Sequence, residues 1–298
     1  MDPFSSEGEL VNIHTSFIQG QYASVLSDYT TSDFSESNRL PVKILQYRAQ
    51  CELGQYDQVI NSISDSDAKQ TPDLAAAKAF AKYLKTGSDD AAAAEAEKLS
   101  ESQADNLTVQ LLCGTVLSRA GKQDAALSLL SKHQGSLDAV ALIVQIHLQQ
   151  NRTDLALQQA KSARSFAQDA LLVNLAESWI GMRRGGEEYQ KAFYVFEELA
   201  QAPSSQSATN LVAQAVSELH LGRTEEAEAA MSRALELEPE NKIALANKLV
   251  LDAVVGRDTS EVRAKLEKVD KEAEILADMM AKREAFQEAC KKYSPRFS

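Results

Sequence analysis

Side chains that could carry out chemistry are few in this sequence, and they are widely spaced. The four histidines lie in four different segments of the chain: His14, His133, His147 and His220. The three cysteines are equally dispersed: Cys51, Cys113 and Cys290. Neither set has the short spacings of a zinc site or of a disulfide framework. We therefore predict exposed or hydrogen-bonded histidines, and buried, reduced thiols of an intracellular protein.

The carboxylates and the Gly185-Gly186 pair do not indicate a catalytic site either. Acidic clusters at 225–228 and 236–240 are typical of solvated helix faces rather than of an acid–base pair. No strand pattern precedes Gly185-Gly186 and no Gly-Lys-Ser/Thr follows, so this pair resembles neither a dinucleotide-binding turn nor a phosphate-binding loop. The sequence predicts no catalytic residue, no cofactor and no metal, and we expect a protein that is not an enzyme.

The composition indicates which elements must position the remaining side chains. The chain has 298 residues, with 31 Lys and Arg against 43 Asp and Glu, a net charge of −12 that argues against nucleic-acid binding. It contains 44 alanines but only 12 glycines and 6 prolines, which favours an all-α fold. No segment reaches the roughly 18 apolar residues of a membrane span, and the N-terminus is not expected to be a signal peptide.

A turn-like motif recurs along the chain at nearly constant spacing. Its eight members begin at Gly20, Gly54, Gly87, Gly121, Asn151, Gly185, Gly222 and Gly256. The successive spacings are 34, 33, 34, 30, 34, 37 and 34 residues. A period of 34 residues is that of the tetratricopeptide repeat, in which two helices form a hairpin. We predict an all-α, tetratricopeptide-like helical-hairpin solenoid (an α/α superhelix) of about eight repeats plus a C-terminal capping helix.

Small residues and proline strengthen this interpretation. In the seventh unit Ala227 and Ala234 would let the second helix approach the first closely, and Pro239 would end the hairpin. The same small position recurs in the other units, at Val25, Val59, Ala92, Ala126, Ala156 and Ala192. Seventeen helices are predicted, at 7–19, 22–32, 40–53, 56–65, 72–85, 89–100, 105–120, 123–133, 137–150, 153–165, 169–183, 189–201, 206–221, 224–237, 241–255, 259–268 and 271–293. We expect residues 1–6 to be disordered and residues 7–298 to form a single solenoid domain.

A helical solenoid presents a concave surface formed by the first helix of each repeat. Alignment of the repeats on their turns predicts a largely apolar partner-binding surface at these positions: Phe17, Ile44, Arg48, Leu111, Thr115, Gln145, Leu148, Val212, Val216, Leu219, Val250 and Val254. Packing of some of these side chains between helices is the alternative. The Lys and Asn positions that hold a C-terminal carboxylate in chaperone-tail adaptors are not filled by those residues here, so that subclass is improbable.

Four segments carry a resemblance to a known family. They are 175–198, which contains the single tryptophan and the Gly-Gly-Glu turn, 141–156, the closing 286–295 and the early 17–22. In them the chain resembles the epsilon subunit of coatomer, the coat of COPI vesicles. The resemblance implies a non-catalytic scaffold that binds and stabilises the C-terminal region of the alpha subunit and contacts the other coatomer subunits indirectly.

The resemblance also implies a location. Such a subunit would be cytoplasmic, and it would meet Golgi membrane and COPI-coated vesicles only peripherally through the coat. The coat carries Golgi-to-ER retrograde and intra-Golgi transport. A generic tetratricopeptide-repeat adaptor of another cytosolic complex is the alternative.

Overall fold

In a computed structural model, which describes residues 8–202 and 205–293, every regular element is helical. The predicted disordered segment 1–6 lies outside the described residues. A 3-10 helix spans Thr31–Asp33, and the α-helices are α1 (Val11–Ile18), α2 (Tyr22–Ser27), α3 (Glu36–Glu52), α4 (Tyr56–Ser62), α5 (Asp65–Gln70), α6 (Pro72–Thr86), α7 (Asp90–Ser102), α8 (Leu107–Arg119), α9 (Gln123–Leu130), α10 (Leu137–Gln149), α11 (Thr153–Phe166), α12 (Leu171–Arg184), α13 (Glu187–Gln201), α14 (Ala208–His220), α15 (Thr224–Leu237), α16 (Lys242–Val254), α17 (Ser260–Val269) and α18 (Glu274–Tyr293).

The eight turn residues taken from the sequence each end the first helix of a hairpin. All eight have a positive φ, between 58° at Asn151 and 80° at Gly20, a conformation that glycine and, less readily, asparagine adopt. In six of the turns the following residue donates its N–H to the carbonyl five positions back. One example is Arg223 to Glu218 at 3.0 Å. This is the bond of a Schellman motif, and it shows that the recurring motif forms left-handed helix caps.

Small side chains let the two helices of each hairpin pack closely. Ala227 and Ala234 are fully buried. The six residues at the position of Ala227 in the first six units are buried as well. At Gly181 of α12 even a methyl group would be crowded, because a Cβ there would lie 3.2 Å from the backbone oxygen of Glu188 in α13. The predicted packing role of these positions is confirmed.

Several predicted boundaries in the first two repeats are wrong. Helix α2 ends at Ser27 rather than at 32, and α3 begins at Glu36 and continues through Pro41. The predicted helix 56–65 is split, because the Ser64 side chain accepts a hydrogen bond from the Asp67 N–H and starts the short helix α5. Lys78 of α6 fixes this extra helix, since its ammonium group donates to the Ile63 carbonyl at 2.8 Å.

The chain separates into two compact units, residues 1–195 (unit 1) and 196–298 (unit 2), and the division falls within α13. Each unit has its own apolar core. A single solenoid domain therefore stays a prediction. Among the helices in the described ranges, none combines the length and the apolar character that a membrane crossing requires.

The capping role predicted for the C-terminal helix applies to its first turn. There Leu276 of α18 packs against Leu245, Leu249 and Leu266 of α16 and α17. Leu276 is the one buried residue that the described part of α18 contains. The remaining turns of this 20-residue helix are exposed, apart from the half-buried Cys290.

Candidate partner-binding groove

The first helices of consecutive hairpins line a cavity of about 300 Å³ in unit 1. Helices α1, α3, α6, α8, α10 and α12 all contribute, as the repeat pattern requires. Five of the predicted surface residues lie together here: Phe17, Arg48, Leu111, Thr115 and Gln145. We call this cavity the unit-1 groove. These five side chains line one cavity although they come from four repeats.

A smaller cavity of about 160 Å³ adjoins the groove and shares Arg48 and Leu111 with it. The predicted surface residue Ile44 lines this second cavity. Its floor is fixed by a hydrogen bond from the Asn106 amide to the Asp73 carboxylate at 2.9 Å, which ties the start of α8 to that of α6. Ile44 thus lies beside the groove rather than inside it.

A buried ionic cluster joins the two sides of the groove. Asp138 in the first turn of α10 accepts a hydrogen bond from His14 Nε2 of α1 at 2.7 Å, and from Arg48 Nη2 of α3 at 3.2 Å. Its side chain is only 7% exposed. His14 and Asp138 are 124 residues apart, so the first repeat contacts the fifth and unit 1 curls back on itself. We call this the His14–Asp138–Arg48 cluster.

The electrostatics of the cluster favour the ionised carboxylate. Burial of Asp138 opposes ionisation, but the electrostatic attraction of His14, its hydrogen bond and the Arg48 guanidinium outweigh this effect. Together they hold the pKa of Asp138 well below its usual range. The Arg48 guanidinium also lies 4.5 Å from the ring centroid of Phe17, a cation–π contact that keeps both side chains at the groove wall.

The rest of the groove offers both apolar and polar surface. Phe80 and Trp179 add aromatic area, while Arg119 and Glu52 add exposed charges. Neither charge takes part in an ion pair with another residue in the ranges that the structure describes. In those ranges, no three His, Cys, Asp or Glu residues come together as metal ligands could.

The other predicted surface residues do not join the unit-1 groove. Leu148 packs against the core between α10 and α12, which corresponds to the alternative of packing between helices. Val212 is buried in the core of unit 2, and Val216 and Leu219 pack against it. Val250 and Val254 are exposed on α16 of unit 2, at 42% and 65%. The observed positions of these side chains differ from the predicted ones because an error of one residue in the alignment of the repeats rotates a side chain by about 100° around its helix.

Sequence reasoning missed three features of this region. Asp138 resembled an ordinary acidic residue of a first helical turn, and nothing near it in sequence points to His14. Trp179 was noticed as a family marker but not as a groove residue. His147 contradicts the prediction of exposed or hydrogen-bonded histidines, because it is buried and its Nδ1 has no hydrogen-bond partner among the described residues.

The model of the coatomer epsilon subunit family matches residues 6–294, nearly the whole chain. The chain belongs to the coatomer epsilon subunit family. It is therefore a component of the COPI coatomer, which functions in vesicle transport. The resemblance described from the sequence is confirmed.

Individual relatives agree with this assignment along most of their length. The probable coatomer subunit epsilon of Schizosaccharomyces pombe is 32% identical over 256 residues, which cover 85% of this chain and 83% of the relative. Coatomer subunit epsilon-1 of Arabidopsis thaliana is 29% identical over 268 residues, covering 87% and 88% of the two chains.

Solved structures support the tetratricopeptide-repeat fold. A tetratricopeptide repeat protein from Parabacteroides merdae superposes with a TM-score of 0.58 at 11% identity, covering 87% of this chain and 97% of that one. The crystal structure of the APC/C hetero-tetramer Cut9-Hcn1 gives a TM-score of 0.61 at 15% identity, covering 94% of this chain and 57% of that one. At such identities the likeness concerns the fold alone.

Proposed function

We propose that this coatomer epsilon family member is a non-catalytic scaffold that binds and stabilises the C-terminal region of the coatomer alpha subunit through the unit-1 groove. It would contact the other coat subunits indirectly and reach the Golgi membrane and COPI-coated vesicles only through the coat. Its task would lie in Golgi-to-ER retrograde and intra-Golgi transport. The observation that supports this function is the groove itself, in a chain whose relatives are coat subunits.

The groove has the mixed character of a protein–protein interface. Its lining combines Leu111, Phe80 and the half-buried Trp179 with the charged Arg48, Glu52, Arg119 and Asp138, and interfaces place an apolar centre among polar groups. Because α1 is tied to α10, the walls are held in place before the partner arrives, which lowers the entropic cost of binding.

The test is co-expression with a fragment from the C-terminal region of the alpha subunit, followed by size exclusion and titration. We expect co-elution of the wild-type chain with the fragment. The double variant Arg119→Glu, Gln145→Asp places two acidic side chains at exposed positions of the groove wall, so it should stay folded and lose at least about tenfold in affinity.

A matched control carries the same two substitutions elsewhere. Gln158→Asp with Arg184→Glu changes exposed residues that do not line the groove, and it should bind as the wild type does. Raising the salt from about 0.1 to 0.5 M shortens the Debye length roughly twofold and should change the affinity little. If the groove variant is folded and still binds, or if salt alone releases the fragment, the groove assignment is wrong.

A further inference from the structure

Helix α18 carries an unpartnered apolar stripe beyond the turn that packs on unit 2. Starting from the buried Leu276, steps of 3, 4, 3, 4 and 3 residues lead to Met279, Arg283, Phe286, Cys290 and Tyr293. We call these five residues the C-terminal stripe. Phe286 is 70% exposed and Tyr293 is 71% exposed. Alternating steps of three and four are the spacing by which one helix packs along another.

The stripe needs a partner for a physical reason. A 20-residue helix is about 30 Å long, and most of the stability of a helix in a protein comes from packing of its apolar face rather than from intrinsic propensity. Only the first turn of α18 buries a side chain in unit 2, at Leu276, so the later turns gain no stability from that core. A second helix lying along the stripe would bury Met279, Phe286 and Tyr293 in a single row.

Charge decides which partner fits. Arg283 lies within the stripe and Lys282 at its edge, and neither forms an ion pair with any described residue. The acidic residues Asp278, Glu284 and Glu288 lie about 100° or more around the helix from the stripe centre. The face is thus locally positive although the whole chain carries a net charge of −12.

This charge pattern disfavours two other occupants. A second copy of α18 would bring another Lys282–Arg283 pair to the same short face, within a Debye length of the first. Helices that bind an anionic lipid surface have a polar face rich in Lys and Arg, whereas the polar face of α18 carries Asp278, Glu284 and Glu288. An amphipathic partner helix with carboxylates beside its apolar row has neither disadvantage, because its charges would pair with Lys282 and Arg283.

We propose that the C-terminal stripe docks an amphipathic helix of a protein partner whose apolar row is flanked by acidic residues. This surface belongs to unit 2 and shares no residue with the unit-1 groove.

The test uses two synthetic helical peptides with the same leucine row, one flanked by glutamates and the other by lysines. Fluorescence anisotropy with the full chain should show the glutamate peptide binding at least about tenfold tighter than the lysine peptide. Lys282→Glu with Arg283→Glu should reverse this order. Phe286→Ala should weaken binding of the glutamate peptide about fivefold or more.

The matched control is Glu284→Lys with Glu288→Lys, which changes the charge away from the stripe and should preserve the order of the two peptides. All of these positions are exposed, and circular dichroism checks that α18 is kept. Equal binding of both peptides, or binding of neither, would overturn the proposal. So would concentration-dependent dimerisation through Phe286 in sedimentation equilibrium, or capture of the chain by phosphatidylserine vesicles in a Phe286-dependent way.

Discussion

Replacing Asp138 by Asn tests whether the His14–Asp138–Arg48 cluster holds unit 1 closed. Asparagine keeps the shape and one acceptor oxygen but removes the charge to which His14 and Arg48 are bonded. A hydrogen bond to a charged group contributes about 1.5–3 kcal/mol, and breaking a buried pair from one side costs about 3–5 kcal/mol. Because Arg48 is partly exposed and the amide still accepts one bond, we expect a loss of about 2–4 kcal/mol.

The assay can be restricted to the unit that contains the cluster. Trp179 is the only tryptophan, and it lies in unit 1 on the groove wall, so its fluorescence during urea unfolding reports on that unit. The matched control is Asp154→Asn, which removes the carboxylate of an exposed pair with Arg152 and should leave the midpoint unchanged. If Asp138→Asn also unfolds within error of the wild type, the cluster does not hold α1 against α10.

The pH dependence provides a second arm of the same test. The pKa of Asp138 is lower in the folded chain than in the unfolded one, so the ionised group stabilises the fold at every pH above its unfolded pKa of about 3.9. As the pH falls below about 4, this stabilisation is lost by up to about 1.4 kcal/mol per pH unit. The difference between the wild type and Asp138→Asn should therefore shrink with acidification. A difference that is constant between pH 6 and pH 3 would refute the electrostatic explanation.

Three further predictions concern packing and reactivity. Ala227→Leu should overpack the contact between α14 and α15 and cost about 1–3 kcal/mol by thermal unfolding, whereas Ala229→Leu at an exposed position of the same helix should cost little. Gly181→Ala should lower the urea midpoint reported by Trp179, since its Cβ meets the α13 backbone, and an unchanged midpoint would contradict that contact. Of the three thiols, Cys290 alone should react with Ellman's reagent in the native chain at pH 8. Burial raises the pKa of Cys51 and of Cys113 to about 12, so these two thiols should react only after unfolding.

The repeat architecture could be predicted because its determinants are local. Gly222 and its equivalents indicate a left-handed helix cap from a few neighbouring residues, and Ala227 indicates that its helix packs closely. Helix α5 was missed for an equally local reason. Its start depends on the single Ser64 cap, within a segment whose pattern also fits a longer α4.

The groove could be predicted only in part because its walls depend on the rotation from one repeat to the next. The small rotation between neighbouring repeats accumulates over four repeats before α1 contacts α10. The sequence of a single repeat does not indicate this total rotation. For that reason Phe17 and Gln145 could be assigned to the concave side, but the pairing of His14 with Asp138 could not. The same limit explains why Leu148, one turn beyond Gln145, belongs to the core instead.

The contact between α1 and α10 also has a consequence for synthesis on the ribosome. A linear repeat array can fold behind the growing chain, because each hairpin needs only its neighbour. Here the hydrogen bond between His14 and Asp138 can form only after the intervening 124 residues have been synthesised. At 5–20 residues per second, this takes about 6–25 s. During that interval the first hairpin lacks its final neighbour and its apolar surface is open to chaperones, so the N-terminal repeat reaches its finished state only after the fifth has emerged.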